Sequence, residues 1–314
     1  MELARRVKEK RPRRKRNFGQ WFEDIGSTYV MILPTFIMFI ILTLYPMFWV
    51  FRFMFYEYDG VSKAVFVGFD NFVRMFTRDQ AWWSSVLITF KVAFLKLIIE
   101  IPLAMLTAVL LNKKEIKGKG LFRGIYFLPT VTSAAVMSVV FSFVLSPYNG
   151  ILNSLLLKFG IIHESVDFLS NGTSALVTCA VISVWQIFGQ NTLLILSGLQ
   201  GIPEDVYESA QVDGANRLQC FLKITVPLIM PTLRIILMLA IIGSLGIFDT
   251  IFVLTGGGPS GETSVMAIHI YQRLFGEGVP EYGYSACLSF ISSVISGIIT
   301  VFYLAVSKKS ADVY

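Results

Sequence analysis

Charge is scarce in this chain. Only 15% of its 314 residues are Asp, Glu, Lys or Arg, against 54% that are hydrophobic, and the mean hydropathy is +0.65. That balance excludes an ordinary water-soluble domain. Cysteine is almost absent. Cys179, Cys220 and Cys287 lie far apart with no C-x-x-C pair, so they offer neither a disulfide framework nor a metal site and read as buried apolar residues. The two histidines, His163 and His269, fall on separate loops, and no metal is expected. A phosphate-cradling loop is also missing: the glycines of Lys117-Gly118-Lys119-Gly120 lack the G-x-x-x-x-G-K-[ST] spacing. No Ser/His/Asp set falls at a recognisable spacing. Catalysis by the chain itself is therefore not expected, and neither is a bound cofactor.

Long apolar runs are what the sequence does hold. Segments of about 20 apolar residues read as membrane helices, because backbone polar groups in lipid must be satisfied internally. Six spans are expected, near residues 28–55, 84–111, 121–145, 173–199, 228–254 and 284–306. The fold class is thus an all-α membrane protein. Pro34 and Pro46 are expected to shorten or kink the first span. Its length and the lack of a small-residue cleavage site argue against a removable signal.

Basic residues orient the bundle. Nine Lys/Arg crowd residues 1–27, beside an apolar run, which suits a cytoplasmic anchor on anionic lipid better than nucleic acid binding. With both termini inside, eighteen of the 27 basic residues fall on inner segments and five on outer ones, in line with the positive-inside rule. Residues 307–314 then form a cytoplasmic tail.

One polar stretch interrupts the C-terminal half, between spans four and five. Pro203 suits a first helical turn, and Glu204, Asp205 and Glu208 favour the positive end of a helix dipole. Gly214 stands where a helix would stop, a second short helix starts near Arg217, and Pro227 and Pro231 mark entry into the next apolar run. The segment 203–220 is expected to be a helix, a sharp turn and a helix, placed in the cytoplasm.

Here a resemblance appears. Glu208-Ser209-Ala210, three residues, Gly214, nine residues, then Ile224-x-Val226-Pro227 resembles the EAA motif of ABC importer permeases, E-A-A, three residues, G, nine residues, I-x-L-P. Ser209 and Val226 depart from it but keep small and aliphatic character. Gly68-Phe69-Asp70-Asn71-Phe72 and Thr255-Gly256-Gly257-Gly258-Pro259 resemble outer-loop signatures of sugar permeases. The chain is thus similar, over nearly its whole length, to permease subunits of carbohydrate importers of the maltose-transporter type. The resemblance implies a coupling elbow that enters a cleft on an ATPase, with Glu208 as a charged anchor, Ala210 keeping the helix slim and Gly214 setting the bend. It also implies a second, related permease, two ATPase subunits using ATP and Mg, and an external solute-binding protein, in a bacterial or archaeal inner membrane.

Polar residues inside spans are costly and so are candidates for function. Span four carries Gln186, Gln190 and Asn191, and Gln186 and Gln190 share a helix face. Amides donate and accept, which suits sugar hydroxyls, and Trp185 and Phe188 have rings to stack on a sugar. The bland alternative is interhelical bonding. Asp249 lies fifteen residues after Arg234 in span five, about 22 Å along a continuous helix, where it lines a path or caps the outer interface. Lys96 and Glu100, four apart, are expected to pair within span two. Thr130, Thr132 and Ser133 after Pro129 are expected to ease a kink. Gly150-Ile151-Leu152-Asn153 opens an interfacial helix, and Asn171-Gly172-Thr173 is a chance sequon. A rival class, an ion-coupled secondary transporter, would use the intramembrane Lys and Asp but leaves the elbow spacing unexplained. A sugar phosphate cargo would want more basic residues outside.

Overall fold

The computed structural model describes residues 18–113 and 115–309. Most of the basic N-terminal segment and most of the tail at 307–314 lie outside the described residues. The chain divides into two units, Met1–Phe53 and Met54–Tyr314.

The first unit holds α1 (Phe18–Phe39) and α2 (Tyr45–Arg52), joined by a π-helical turn at Ile40–Leu44. The turn has a cause in the sequence. Pro46 has no N–H to give, so the ladder loses a bond, and the Tyr45 N–H reaches back five residues to the Ile40 carbonyl. Pro34 stays inside α1. Large apolar side chains from Tyr29 to Val50 are exposed, which suits contact with lipid or with another subunit's helices.

The second unit opens with a short antiparallel ladder, β1 (Tyr56–Glu57) on β2 (Val65–Phe66), with Tyr56 opposite Phe66. Then follow α3 (Asp70–Thr77), α4 (Gln80–Asn112), α5 (Lys119–Val131), α6 (Ala134–Val144), α7 (Ile151–Lys158) and α8 (Gly172–Gln200). The elbow is α9 (Glu204–Val212) and α10 (Arg217–Cys220), and the chain closes with α11 (Val226–Leu245), α12 (Asp249–Thr255), α13 (Met266–Phe275) and α14 (Tyr282–Lys309). Five helices among the described residues are long and apolar enough to cross a membrane, and the bent pair α5–α6 brings the number to six if it is counted as one broken span. Packing centres on α4 against α8. Ala104, Ala108, Ile195, Leu199, Ile229 and Leu233 form one core cluster toward the elbow, and Val92, Cys179, Ile182, Ile251 and Ile268 form another toward the opposite end. All three cysteines are buried.

Three expectations need correction. The third span is not one helix: α5 and α6 meet at 100° around Thr132 and Ser133. The fifth span starts earlier than residue 228 and is not continuous. Its helix runs from Arg217 through a π-helical turn at Phe221–Thr225, the same answer to a missing proline N–H, here Pro227. It then ends at Leu245, and Asp249 starts a new helix after Gly246–Phe248. Rise per residue from Arg234 therefore does not place Asp249. Finally, His269 belongs to α13 and is buried.

At the end away from the elbow, a buried ionic cluster pins α3, α4, α13 and α14 together. Asp79 caps α4 by accepting from the Trp82 N–H at 2.9 Å. Its other oxygen receives the Tyr284 hydroxyl at 2.7 Å and lies 3.3 Å from His269 Nε2 and 3.4 Å from Arg273. Arg74 pairs with both oxygens of Glu281, at 2.7 and 3.1 Å, and lies over the Tyr284 ring. Burial pushes the Asp79 carboxyl up, but the Tyr284 and Trp82 hydrogen bonds and the His269 and Arg273 charges outweigh it, leaving it below the usual range. Burial holds His269 below the ordinary histidine value despite the pull of Asp79.

Candidate functional site

The elbow is built by local rules. Pro203 is the N-cap of α9 rather than its first residue. At the other end the chain reverses through Gly214, whose φ is +81°, a region costly for any side chain with a β-carbon. The Gly214 N–H returns to the Gln211 carbonyl and the Ala215 N–H to the Ala210 carbonyl, the double bond of a Schellman stop. Asn216 and Gln219 then exchange side-chain and backbone bonds in a capping box that starts α10. Glu208 and Ser209 are exposed and Ala210 is half-buried. The Ser209 hydroxyl donates back to the Asp205 carbonyl. The Tyr207 hydroxyl lies 3.0 Å from the Thr225 hydroxyl, which ties α9 to the base of α11. Ile224 lies in the π-helical turn, and Pro227 opens α11. Among the described residues, then, the matched motif positions form one bent unit joined without interruption to a long apolar helix. Between elbow and bundle lies a groove of about 670 Å³ bordered by Asn112, Leu199, Tyr207, Gln211 and Phe221.

A second site sits deeper, where two helix breaks face one another. The α5–α6 bend contributes Thr130 and Ala134, the α11–α12 break contributes Gly246, Phe248 and Asp249, and α8 supplies the opposite wall. Together they line an open-mouthed cavity of about 340 Å³. Freed backbone groups at membrane depth are tolerated where they line a cavity or find side-chain partners. Both occur here. The Gln186 amide donates to the Thr132 carbonyl at 3.2 Å, and the Thr130 hydroxyl donates to the Gln186 carbonyl at 2.8 Å. Ser183, Gln186 and Gln190 line the wall at one helix face. Gly189 lets α5 close on α8: a β-carbon there would fall within bonding distance of the Tyr126 carbonyl oxygen.

The structure separates the candidates of span four. Gln186, Gln190 and Asp249 meet at the cavity. Asn191 does not; it is buried and donates to Glu100. Trp185 packs edge-on against Phe141, and Phe188 against Tyr126. Neither ring lines the cavity, so the expected stacking pair is absent from its wall. Lys96 lies 3.4 Å from Glu100, as the spacing suggests, and also donates to Ser244 on α11 at 3.3 Å. It reaches the cavity wall, which the sequence did not reveal. Gly189 and Ser183 were also missed; small residues every three to four positions around Gln186 were the available signal.

The outer-loop signatures prove to be turns tied by side chains. Gly256 and Gly257 have φ of +60° and +94°, and the loop closes through Thr263 to the Gly258 carbonyl and Gln272 to the Gly256 carbonyl. Pro259 follows a cis peptide. Asn71 donates to the Met54 and Tyr56 carbonyls, which anchors the hairpin to α3.

The sequence pattern of the family described as "Binding-protein-dependent transport system inner membrane component" matches residues 100–311. That range takes in the elbow and both breaks. The chain belongs to this family. It is a transport subunit of the inner membrane, an all-α permease that works with a solute-binding protein. The trehalose/maltose transport system permease protein MalF of Thermococcus litoralis is 33% identical over 301 residues, 93% of this chain and 97% of that protein. The probable ABC transporter permease protein YesP of Bacillus subtilis is 32% identical over 288 residues, 91% and 92% of the two chains. A crystal structure of a bacterial ABC transporter that imports the acidic polysaccharide alginate superposes with a TM-score of 0.78 at 26% identity, over 92% of this chain and 97% of that one.

Proposed function

We propose that this permease is one half of the path of an ATP-driven importer that moves a sugar or oligosaccharide inward by alternating access. The names of the relatives support a saccharide cargo. The observation that carries the reading is mechanical. The Glu208–Ser209–Ala210 face is exposed on a helix locked by Gly214 and by Tyr207–Thr225, and the following helix runs from that point to the cavity.

In this reading the elbow projects into the cytoplasm, both termini lie there, and α9 seats in a cleft of an ATPase subunit. Two such ATPases bind ATP and Mg and close on hydrolysis-competent nucleotide. A related permease carries the second elbow. Closure drives the elbows together, the stiff α10–α11 helix transmits the displacement, and the cavity turns from inward to outward. The external solute-binding protein then delivers its sugar to hydroxyl and amide groups at Thr130, Ser183, Gln186 and Gln190. This chain itself performs no bond chemistry.

Inverted membrane vesicles cannot show uptake, so right-side-out vesicles holding the whole transporter, loaded with ATP, are the test. Uptake of labelled oligosaccharide with the cognate binding protein should survive a protonophore and stop with vanadate. The reverse pattern would transfer the chain to the ion-coupled class.

A further inference from the structure

The cavity between the two breaks has an uneven charge, and this chain sets it. Two charged side chains reach its wall, Lys96 from α4 and Asp249 from α12. They are not equivalent. Lys96 is buried, with its ammonium 3.4 Å from Glu100 Oε2 and 3.3 Å from Ser244 Oγ. Glu100 is fully buried too, and its second oxygen accepts from Asn191. The lysine charge is therefore answered inside the bundle. Drawing it toward a cargo would strand a buried carboxylate without its counter-ion, which is strongly unfavourable.

Asp249 stands differently. It is exposed to the cavity, and its side chain has no hydrogen bond, ion pair or electrostatic partner among the described residues. The remaining polar wall side chains, Thr130, Ser183, Gln186, Gln190 and Thr250, are neutral. The sum is one uncompensated carboxylate facing a hydroxyl- and amide-lined void. We infer that the cavity is electronegative and that Asp249 makes it a filter, which passes uncharged saccharides and holds back those bearing uronate or phosphate groups.

The substrate half of this inference rests on the saccharide reading; the sign of the cavity does not. Two like charges about 8 Å apart at an effective dielectric of about 20 repel enough for discrimination of about thirtyfold. The fold alone does not dictate the sign, since the similar solved importer carries an acidic polysaccharide. Wall side chains decide it.

The test has two arms in vesicles holding the whole transporter. In the first, Gln190→Cys places a thiol on the wall, the native cysteines being buried. Its reaction rates with trimethylammonioethyl and sulfonatoethyl methanethiosulfonate are each normalised to a free thiol in solution. The cationic reagent should lead by at least about thirtyfold, the lead should persist in Asp249→Glu, and it should fall toward one in Asp249→Asn. A lead at or below one with Asp249 present, or one unmoved by Asp249→Asn, overturns the inference. In the second arm, uptake is compared for a panel of neutral oligosaccharides and their uronic acid counterparts. The unaltered chain should favour the neutral set, and Asp249→Asn should narrow the gap. Equal uptake of the acidic set overturns the filter. The expected reagent ratio without ATP-driven uptake of any saccharide would overturn the substrate assignment and the saccharide reading, while the cavity's sign would stand.

Discussion

The side-chain amide of Gln186 on α8 holds the carbonyl of Thr132, the residue at which α5 gives way to α6, at 3.2 Å. A bend of 100° between two apolar helices leaves carbonyl groups without helical donors, and this amide answers one of them. Gln186→Leu should therefore loosen the bend, at a cost of about 1–3 kcal/mol for the orphaned carbonyl. Thermal unfolding in detergent should show a lower midpoint for Gln186→Leu, and an unchanged midpoint would mean that water already satisfies Thr132.

Gly189, three residues on, has a steric duty. A β-carbon at this position would meet the Tyr126 backbone, not a flexible side chain, so the neighbour cannot simply rotate away. Gly189→Ala should force α5 off α8, open the cavity wall and reduce both stability and uptake. Gly297→Ala in α14 is the control, because open space surrounds that glycine and it lies off the cavity wall. Comparable losses in the two variants would show that the Gly189 contact is not the cause.

Gly214 tests the lever. With φ at +81°, a β-branched residue there costs about 1–2 kcal/mol of backbone strain or reshapes the turn. Gly214→Val, like Glu208→Lys at the exposed face, should leave the subunit in the membrane yet uncouple ATP hydrolysis from uptake. Gly214→Pro goes further by removing the N–H that bonds to Gln211. Full transport by Gly214→Pro, measured beside ATPase rate, contradicts the coupling role.

The buried cluster around Asp79 should respond to pH. His269 and Asp79 both sit below their ordinary values. For each, the unfolded chain takes up a proton more readily than the folded one. The stability they contribute is present above the unfolded values and is lost as pH falls, first through the histidine range below about 6.5 and then through the carboxylate range below about 4. Hydrogen-exchange protection of α3 and α13, measured against the intrinsic rate at each pH, should fall as the pH is lowered from 7 to 5, and His269→Gln should flatten that first step. A steeper response in His269→Gln would reverse the sign argued here.

Much of the architecture follows from the chain alone. Apolar runs set the crossings, because lipid gives an unsatisfied backbone no alternative to the helix. The elbow was legible for the same local reason: Pro203, Glu204 and Gly214 mark the two ends of α9 through the backbone close to them, though the Asn216–Gln219 capping box came only with the structure. Partnering across helices was not legible. Gln190 and Asn191 are neighbours in sequence, of like chemistry and in one apolar run, yet one faces a cavity and the other holds Glu100. Successive residues on a helix point about 100° apart, and only the packing of α4, α5 and α11 around α8 decides which direction is void and which is protein. The break before Asp249 is of the same kind. Gly246 permits it, but the facing bend at Thr132 turns it into half of a cavity.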